Sequence, residues 1–261
     1  MPEINSVNGR RAFLYKSAVF FTGTLFGLKN YSKAFACTCP AKNPQVAIII
    51  DDIGFSGSRL DSFLKIGIPL TFSILPRLPH SREFAQKIHD LGYEVMLHQP
   101  MEPVDPNLDP GPGAVFVKDS PDKIIDVVGQ NISETPYITG INNHMGSRFT
   151  ASGREMKEAL TAIKDSNLFF VDSLTTSRST AYLTAKKMNI STVKRNIFLD
   201  NAQDVSLILA QLEKLKNVAL MCGRAIGIGH PFPETAEAVR LFFRQIKDTG
   251  ISAVPVSKVI S

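Results

Sequence analysis

Acidic residues and histidines stand directly after several apolar, strand-like runs of this 261-residue chain. Asp51 and Asp52 end the first such run. Three of the five histidines stand at the ends of later runs: His98, His144 and His230. An aspartate with two neutral imidazoles is a ligand set for a divalent metal ion, and it leaves a coordination position open for water. The residue types at these strand ends therefore indicate metal-assisted hydrolysis.

Each of these residues, taken singly, could have an ordinary structural role. The Asp51–Asp52 pair could cap the helix predicted after it, and His98 or His144 could hydrogen-bond within the following loop. Successive strand residues point in opposite directions, so the two aspartates cannot easily play the same role on a regular strand. If the chain turns there, one carboxylate can bind the metal while the other faces the bound water. Three histidines together with paired carboxylates favour a functional site over coincidence.

Further polar residues end the remaining strand-like runs. Asn142 and Asn143 stand where they could orient the metal ligands. Asp172 and Asp200 are better explained as partners of Arg195, or as acceptors for loop N–H groups, than as ligands. These residues therefore extend the candidate site without adding to its ligand set.

Strand-like runs alternate with helical periodicity along most of the chain. The runs predict strands at 46–50, 70–75, 93–97, 138–142, 168–171, 193–199, 225–228 and 251–254. The periodicity predicts helices at 57–66, 80–91, 120–133, 153–166, 177–188, 203–221 and 233–248. Strict alternation favours a parallel sheet, and no glycine-rich dinucleotide loop follows the first strand. Seven or eight such units predict a closed or nearly closed βα barrel.

The composition excludes several classes of protein. The hydrophobic share of 44% supports a sizeable core, and a mean hydropathy of +0.02 excludes both disorder and a polytopic membrane protein. The net charge is +5, but residues 1–36 hold five basic residues against one acidic residue, so the remainder is close to neutral. Nucleic-acid binding therefore has little support. Three cysteines make no disulfide framework.

The first 36 residues have the layout of an export signal. A basic segment with the pair Arg10-Arg11 precedes the uncharged run 17–28, which is too short to span a bilayer, and Ala34 and Ala36 provide small residues for cleavage. The arginine pair resembles the twin-arginine motif; an uncleaved anchor or a chance pair is the alternative. We expect a short linker at 37–44, one domain at 45–261, a periplasmic or extracellular location, and no stable membrane insertion after cleavage.

Six ordered segments resemble the divergent polysaccharide deacetylases, a distant branch of the nodulation-type carbohydrate esterases. The segments are VAIIIDDIG at 46–54, LHQPMEP at 97–103, GINNHMGS at 140–147, FVDS at 170–173, KRNIFLD at 194–200 and GIGHP at 227–231. The resemblance covers residues 45–258 and implies a distorted (β/α)7 barrel. In the parent superfamily a second histidine follows four residues after the first; here Glu102 stands in that position. The resemblance suggests that His144 replaces it, with Glu102 as an alternative carboxylate ligand.

The resemblance implies hydrolysis of an N-acetyl group on a glycan, and it assigns roles to the strand-end residues. Asp52, His98 and His144 would bind one divalent ion, with zinc favoured by the imidazoles and nickel, cobalt or manganese as alternatives. The predicted catalytic residues are Asp51 as base, His230 as acid, Asp172 or Asp200 to orient His230, and Arg195 to tune Asp51. The predicted glycan-binding residues are Asn142, Asn143, Glu102 and Ser173. The alternative is a non-catalytic metal- and glycan-binding envelope protein. The chain has no tryptophan to stack on sugar rings, so a long carbohydrate-binding platform has little support.

The proline-rich segment 99–113 follows His98 directly. Its five prolines fix the backbone φ angle and remove five N–H donors, which predicts a stiff segment that joins no sheet. Such a wall beside the metal would give a groove preset for its ligand, with Glu102 and Asp105 in reach of sugar hydroxyls. A rigid surface connector without ligand contact is the alternative.

Overall fold

The computed structural model describes residues 42–260. The predicted export signal, residues 1–36, lies outside the described residues, as does most of the predicted linker. Within 42–260, no helix is both long and apolar enough to cross a membrane.

The described residues form one sheet of nine strands in which every pairing is parallel. The strands are β1 Gln45–Ile53, β2 Thr71–Ile74, β3 Glu94–Met101, β4 Ile138–Met145, β5 Phe169–Asp172, β6 Thr192–Lys194, β7 Ile197–Phe198, β8 Arg224–Gly229 and β9 Ser252–Ala253. Their order across the sheet is β6-β5-β4-β3-β2-β1-β8-β7, and β9 pairs with β1. This parallel, curled sheet confirms the predicted βα-barrel class.

Seven helices connect the strands within residues 42–260, and all lie where the periodicity predicted them. They are α1 Gly57–Leu64, α2 Ser81–Asp90, α3 Pro121–Glu134, α4 Gly153–Asp165, α5 Ala181–Lys187, α6 Val205–Cys222 and α7 Pro233–Ile246. Local signals explain several ends. The Ser120 and Asp204 side chains accept backbone N–H bonds at the starts of α3 and α6, and Gly223 ends α6 in the left-handed conformation with φ 82°.

The strand predicted at 193–199 is two short strands, and the residues between them connect the two edges of the sheet. β6 pairs with β5, whereas β7 pairs with β8 at the opposite edge. Between them, Arg195 N donates to Asp172 O and Asn196 N donates to Ile226 O. Two successive residues thus bond to opposite edges, so the sheet closes through this point of the chain. Apolar alternation in the sequence predicts a strand here, but it does not show that β6 and β7 pair with different neighbours.

Strand alternation separates an outer apolar layer from an inner one. Outward-facing residues of the strands pack under the helices in two large clusters. A third cluster fills the barrel interior, with Ala47, Ile49, Met96, Val171 and Ile228 among its members.

At the carboxyl ends of several strands, the inward-facing positions are occupied by polar residues. Two residues beyond the interior residues Ile49, Met96 and Ile228 stand Asp51, His98 and His230, respectively. The interior packing therefore determines which polar side chains converge at the open end of the barrel. At the other end, a 3-10 helix, Val256–Lys258, contributes Val256 to the interior cluster.

β3 is longer than predicted, which corrects one feature of the proline-rich segment. Gln99, Pro100 and Met101 belong to the strand and pair with β4, and Met101 also bridges Val115. The segment 99–113 therefore does join the sheet at its start. Proline is tolerated there because β2 pairs with β3 only as far as Leu97, so no β2 carbonyl loses its donor.

Candidate functional site

The turn at the end of β1 brings both aspartates to the same side. Asp52 has a left-handed backbone with φ 56°, and the pairing of β1 with β2 shifts register between Ile50 and Ile53. A non-glycine residue in this conformation is strained, and such strain is concentrated at functional sites. The turn cancels the strand alternation, so Asp51 and Asp52 both face the barrel opening. This is the turned arrangement in which the two carboxylates can have different roles.

Asp52, His98 and His144 bring three ligand atoms together. Asp52 Oδ1 lies 2.9 Å from His144 Nδ1 and 3.2 Å from His98 Nε2, and the two nitrogens are 3.2 Å apart. Around tetrahedral zinc with bonds of about 2.0–2.1 Å, neighbouring ligand atoms are about 3.3 Å apart. Asp52 Oδ1 is buried and has no well-oriented hydrogen bond, as expected of an oxygen that coordinates a cation. The three residues therefore fit a divalent metal ion.

Asn142 holds His98 in the tautomer that metal binding requires. His98 Nδ1 lies 2.8 Å from Asn142 Oδ1, an atom that can only accept, so Nδ1 carries the proton. Nε2 is then the lone-pair nitrogen, and it faces Asp52. Ser73 Oγ donates to the same Asn142 oxygen and fixes the orientation of the amide. This arrangement of a ligand and its orienting partner is typical of metal sites.

Asp51 lies against the ligand set but takes its hydrogen bonds elsewhere. Its carboxylate oxygens accept from Asn142 Nδ2 at 2.9 and 3.1 Å, and Oδ2 lies 3.5 Å from His98 Nε2. Burial raises the pKa of Asp51 above its ordinary value, although the charges of His98 and His230 and the bond from Asn142 oppose this. A carboxylate with a raised pKa beside a metal site is suited to accept a proton near neutral pH.

The electrostatics of the site favour a bound cation. Burial would raise the pKa of Asp52, but contacts with His144 and His98 hold that pKa well below its usual range. Burial would lower the pKa of His98, but the negative charges of Asp51 and Asp52 outweigh burial and raise it. The buried carboxylate of Asp51 and the half-buried carboxylate of Asp52 thus create a negative pocket, which a divalent ion would neutralise.

His230 is held by Asp200 on the other side of Asp52. Asp200 Oδ1 accepts from His230 Nδ1 at 2.9 Å, and Oδ2 accepts from His230 N and from Thr235 Oγ1. His230 Nε2 is thereby directed toward the opening, 3.8 Å from Asp52 Oδ2. Burial would lower the pKa of His230, but the Asp200 bond and the charges of Asp51, Asp200 and Asp52 raise it to about 9. The imidazole can therefore donate a proton at neutral pH.

Asp172 does not hydrogen-bond to His230, so the alternative in which Asp172 orients His230 is wrong. Its Oδ1 accepts from Leu174 N, and its Oδ2 accepts from Ser179 Oγ and from Tyr182 N in the first turn of α5. The carboxylate is buried and fully occupied, so it shapes the turn after β5. Position after a strand could not distinguish Asp172 from Asp200, because their partners come from different helices.

Arg195 holds the backbone that follows β5. Its Nε and Nη2 donate to the carbonyls of Ser173 and Leu174, and the guanidinium lies 4.9 Å from the centre of the Phe198 ring. Burial lowers the pKa of Arg195, whereas the nearby charges of Asp51 and Asp172 oppose this. Arg195 makes no hydrogen bond to Asp51, and the groups that shift the pKa of Asp51 are His98, His230, Asn142 and Asp52. Tuning of Asp51 by Arg195 therefore stays a prediction.

The residues predicted to contact a glycan lie behind the site instead. Asn142, Asn143 and Ser173 are buried, with Asn143 Oδ1 accepting from Ser173 N and Asn142 Nδ2 donating to Ser173 Oγ. Their polar atoms bind one another and the ligand residues, so they are closed to a ligand. Glu102 accepts from Val117 N and pairs with Arg148, which ties the proline-rich segment to the barrel. Neighbouring residues in the fold already form hydrogen bonds or ion pairs with these polar groups. The sequence does not show which residues those neighbours are.

Two clefts meet above the site, at Asp52 and Phe55. The proline cleft, ≈ 120 Å³, lies between His144, Leu75, Pro76, Leu78 and the stretch Asp109–Pro112. The arginine cleft, ≈ 220 Å³, is lined by Ser56, Arg59, His230, Pro231 and Phe232. Pro100 at the start of the proline-rich segment lines the proline cleft too, so both ends of the segment border the metal ligands. Asn131 holds the two ends together, since it donates to Gly113 O and to Gln99 Oε1.

Sequence reasoning missed Ser73, Thr235 and Phe55. Ser73 gave a usable signal, since it is a polar residue inside the otherwise apolar run 70–75. Thr235 gave no sequence signal except its position near the start of a predicted helix. Phe55 is an aromatic residue in a glycine- and serine-rich turn, where no core-facing pattern explains it.

Replacing Asn142 with leucine is expected to lower the free energy of unfolding by about 3 kcal/mol. The change keeps the volume but leaves Asp51, His98 and Ser73 without their buried partner. Urea denaturation measures the effect, with Asn107→Leu, in the exposed loop, as the control. A loss below about 1 kcal/mol would contradict a buried network centred on Asn142.

Two comparisons with known sequences give matches over most of the described residues. The profile of the divergent polysaccharide deacetylase family matches residues 48–260. The uncharacterized protein YibQ of Escherichia coli K12 is 32% identical over 221 residues, which cover 83% of this chain and 69% of that protein.

Solved structures share the fold. An uncharacterized protein from Agrobacterium tumefaciens C58 superposes with a TM-score of 0.80 at 25% identity, covering 84% of this chain and 90% of that one. The catalytic domain of a peptidoglycan N-acetylglucosamine deacetylase from Eubacterium rectale gives 0.52 at 12% identity, covering 84% and 92%. A CE4-family pseudoenzyme from Bacillus anthracis gives 0.52 at 16% identity, covering 85% and 66%. The last two likenesses concern the fold alone.

Proposed function

Because the chain belongs to the divergent polysaccharide deacetylase family, we propose that it is a metal-dependent hydrolase. Its reaction is removal of N-acetyl groups from an acetylated polysaccharide or cell-envelope glycan. One observation carries the proposal: three ligand atoms lie within 3.2 Å of one another, with Asp51 on one flank and His230 on the other.

Asp52 Oδ1, His98 Nε2 and His144 Nδ1 would hold the ion, and zinc suits their donor set. When bound, such an ion supplies Lewis acidity: it polarises the acetyl carbonyl and makes water acidic enough to act as nucleophile near neutral pH. Every other part of the chemistry falls to side chains of this chain.

The oxygen of the attacking water bonds to the acetyl carbon, and Asp51 accepts a proton from that water. The C–N bond then breaks, and His230 Nε2 donates a proton to the departing nitrogen, giving acetate and a free amine. Asp200 holds the His230 Nδ1 proton and so keeps Nε2 directed at the leaving group. Asn142 keeps Asp51 facing the nucleophile through the two bonds it donates.

The alternative is a non-catalytic metal- and glycan-binding envelope protein on the same fold. The observation that favours it is the Bacillus anthracis neighbour, which has this fold and is described as a pseudoenzyme. The fold alone is therefore no guarantee of turnover.

The test measures acetate release from N-acetylated oligosaccharides by protein freed of metal and reloaded with zinc, nickel, cobalt or manganese. Release that requires the metal supports the hydrolase. Glycan binding in calorimetry without acetate release, across all four metals, would favour the binding protein and contradict the hydrolase.

We also propose that the chain is exported and acts on a periplasmic or extracellular glycan. The basic segment, uncharged run and small residues of positions 1–36 support this. N-terminal sequencing of protein from the periplasmic fraction tests it: an intact Met1 there would contradict a cleaved signal.

Replacing residues 104–112 with a Gly/Ser linker of equal length is expected to raise the KM strongly while metal content stays unchanged. The reason is that Asp109–Pro112 line the proline cleft but supply no metal ligand. Steady-state kinetics and elemental analysis on the same preparation measure both quantities. An unaltered KM would mean that the segment is only a connector.

A further inference from the structure

Phe55 is an exposed aromatic side chain at the meeting point of the two clefts. Phe55 is 66% exposed, the largest exposed fraction among the large hydrophobic residues of 42–260. It lines both the proline cleft and the arginine cleft, directly above Asp52. An exposed apolar ring beside a polar site is a candidate contact surface for a ligand. The apolar C–H face of a pyranose ring is a ligand surface that such a ring fits.

Arg59 gives the arginine cleft a charge that the proline cleft lacks. It lies in the first turn of α1, is exposed, and has no ion-pair partner among residues 42–260. Glutamates, by contrast, pair with three other arginines of the described residues, Arg77, Arg148 and Arg240. Apart from Asp52, which belongs to the metal site, no acidic residue lines the arginine cleft. The proline cleft instead carries Asp109 and no arginine or lysine.

We propose that the arginine cleft is a subsite for a carboxylate-bearing sugar, with Phe55 stacked on the ring and Arg59 paired with the carboxylate. Guanidinium groups bind carboxylates through two parallel hydrogen bonds, which suits Arg59 to this role. The inference rests on the proposed function, because the ligand is the glycan whose acetyl group is removed. The substrate class is therefore an acidic N-acetylated glycan. Its carboxylate belongs either to a hexuronic acid or to a lactyl ether on the sugar.

The test measures equilibrium binding by calorimetry, so it does not depend on turnover. The zinc-loaded protein is titrated with an N-acetylated oligosaccharide containing a hexuronic acid, one containing a lactyl ether, and the methyl ester of each. We expect at least one acid to bind about tenfold more tightly than its own ester, because the ester has lost the charge that Arg59 recognises. The acid that shows the preference identifies the source of the carboxylate.

Three variants locate the effect. Arg59→Gln is expected to abolish the preference for acid over ester, and Phe55→Ala to weaken acid and ester by the same factor. The control is Arg244→Gln, an exposed arginine in the last turn of α7, at the opposite end of the barrel; it is expected to bind as the wild type does. Equal binding of acid and ester by the wild type, or a preference that survives Arg59→Gln, would overturn the proposal.

Acetate release, measured on the same samples, separates this proposal from the function on which it rests. An acid preference that depends on Arg59, without any acetate release, supports the subsite and contradicts the hydrolase. Acetate release from acid and ester at equal affinity contradicts the subsite alone.

Discussion

Asp52→Asn is expected to reduce the bound metal from one equivalent to below a tenth and to weaken zinc affinity more than about 100-fold. Loss of a residue that merely orients a ligand already costs about 10- to 100-fold, and Asp52 supplies the only charged ligand atom of the three. An asparagine oxygen keeps the geometry but removes the charge that attracts the ion. Elemental analysis of protein purified without a chelating column, followed by zinc titration, measures both.

The matched control is Asp105→Asn, which removes an exposed carboxylate of the proline-rich segment. Among residues 42–260 this carboxylate hydrogen-bonds only with Asn107. It is expected to leave the metal content unchanged. Wild-type protein that takes up no transition metal on titration would refute the site itself. An Asp52→Asn variant with wild-type affinity would refute the assignment of Asp52 as a ligand.

Asp51→Asn, one residue earlier, is expected to lower kcat about 1,000-fold with the metal still bound. The amide matches the carboxylate in shape and can still accept a hydrogen bond from Asn142, so the fold and the ligand set are preserved. It cannot accept the proton of the attacking water. Acetate release per bound metal is the measurement.

The neighbouring variants therefore separate the two aspartates: Asp52→Asn loses metal and activity, and Asp51→Asn loses activity alone. If Asp51→Asn also loses its metal, Asp51 is a ligand rather than a base. Full activity in Asp51→Asn would show that another group accepts the proton.

The sequence by itself determined the barrel and the set of strand ends that meet at its opening. Parallel strands place all their carboxyl ends at one edge, and alternate residues of each strand face inward. Asp51, His98 and His230 each stand two residues after an apolar strand residue, so the spacing places each on the same strand face as that residue. That this face is the barrel interior follows from the packing. The helices were predictable because their apolar periodicity and caps are local.

The tertiary structure alone decided which partner each polar group has. Asn142 meets Ser73 across 69 residues of chain and Asp51 across 91, and such pairings depend on how the strands lie side by side. The choice of Asp200 over Asp172 as partner of His230 depends on packing in the same way.

The left-handed turn at Asp52 is also a tertiary effect, since an aspartate does not require a positive φ and the surrounding structure must impose it. The split of the strand predicted at 193–199 follows from barrel closure, which requires one segment to bond to both edges of the sheet. Local pattern fixes which residues share a strand face. Long-range packing fixes what those residues touch, because the free energy of a buried polar group depends on its partners and not on its neighbours in sequence.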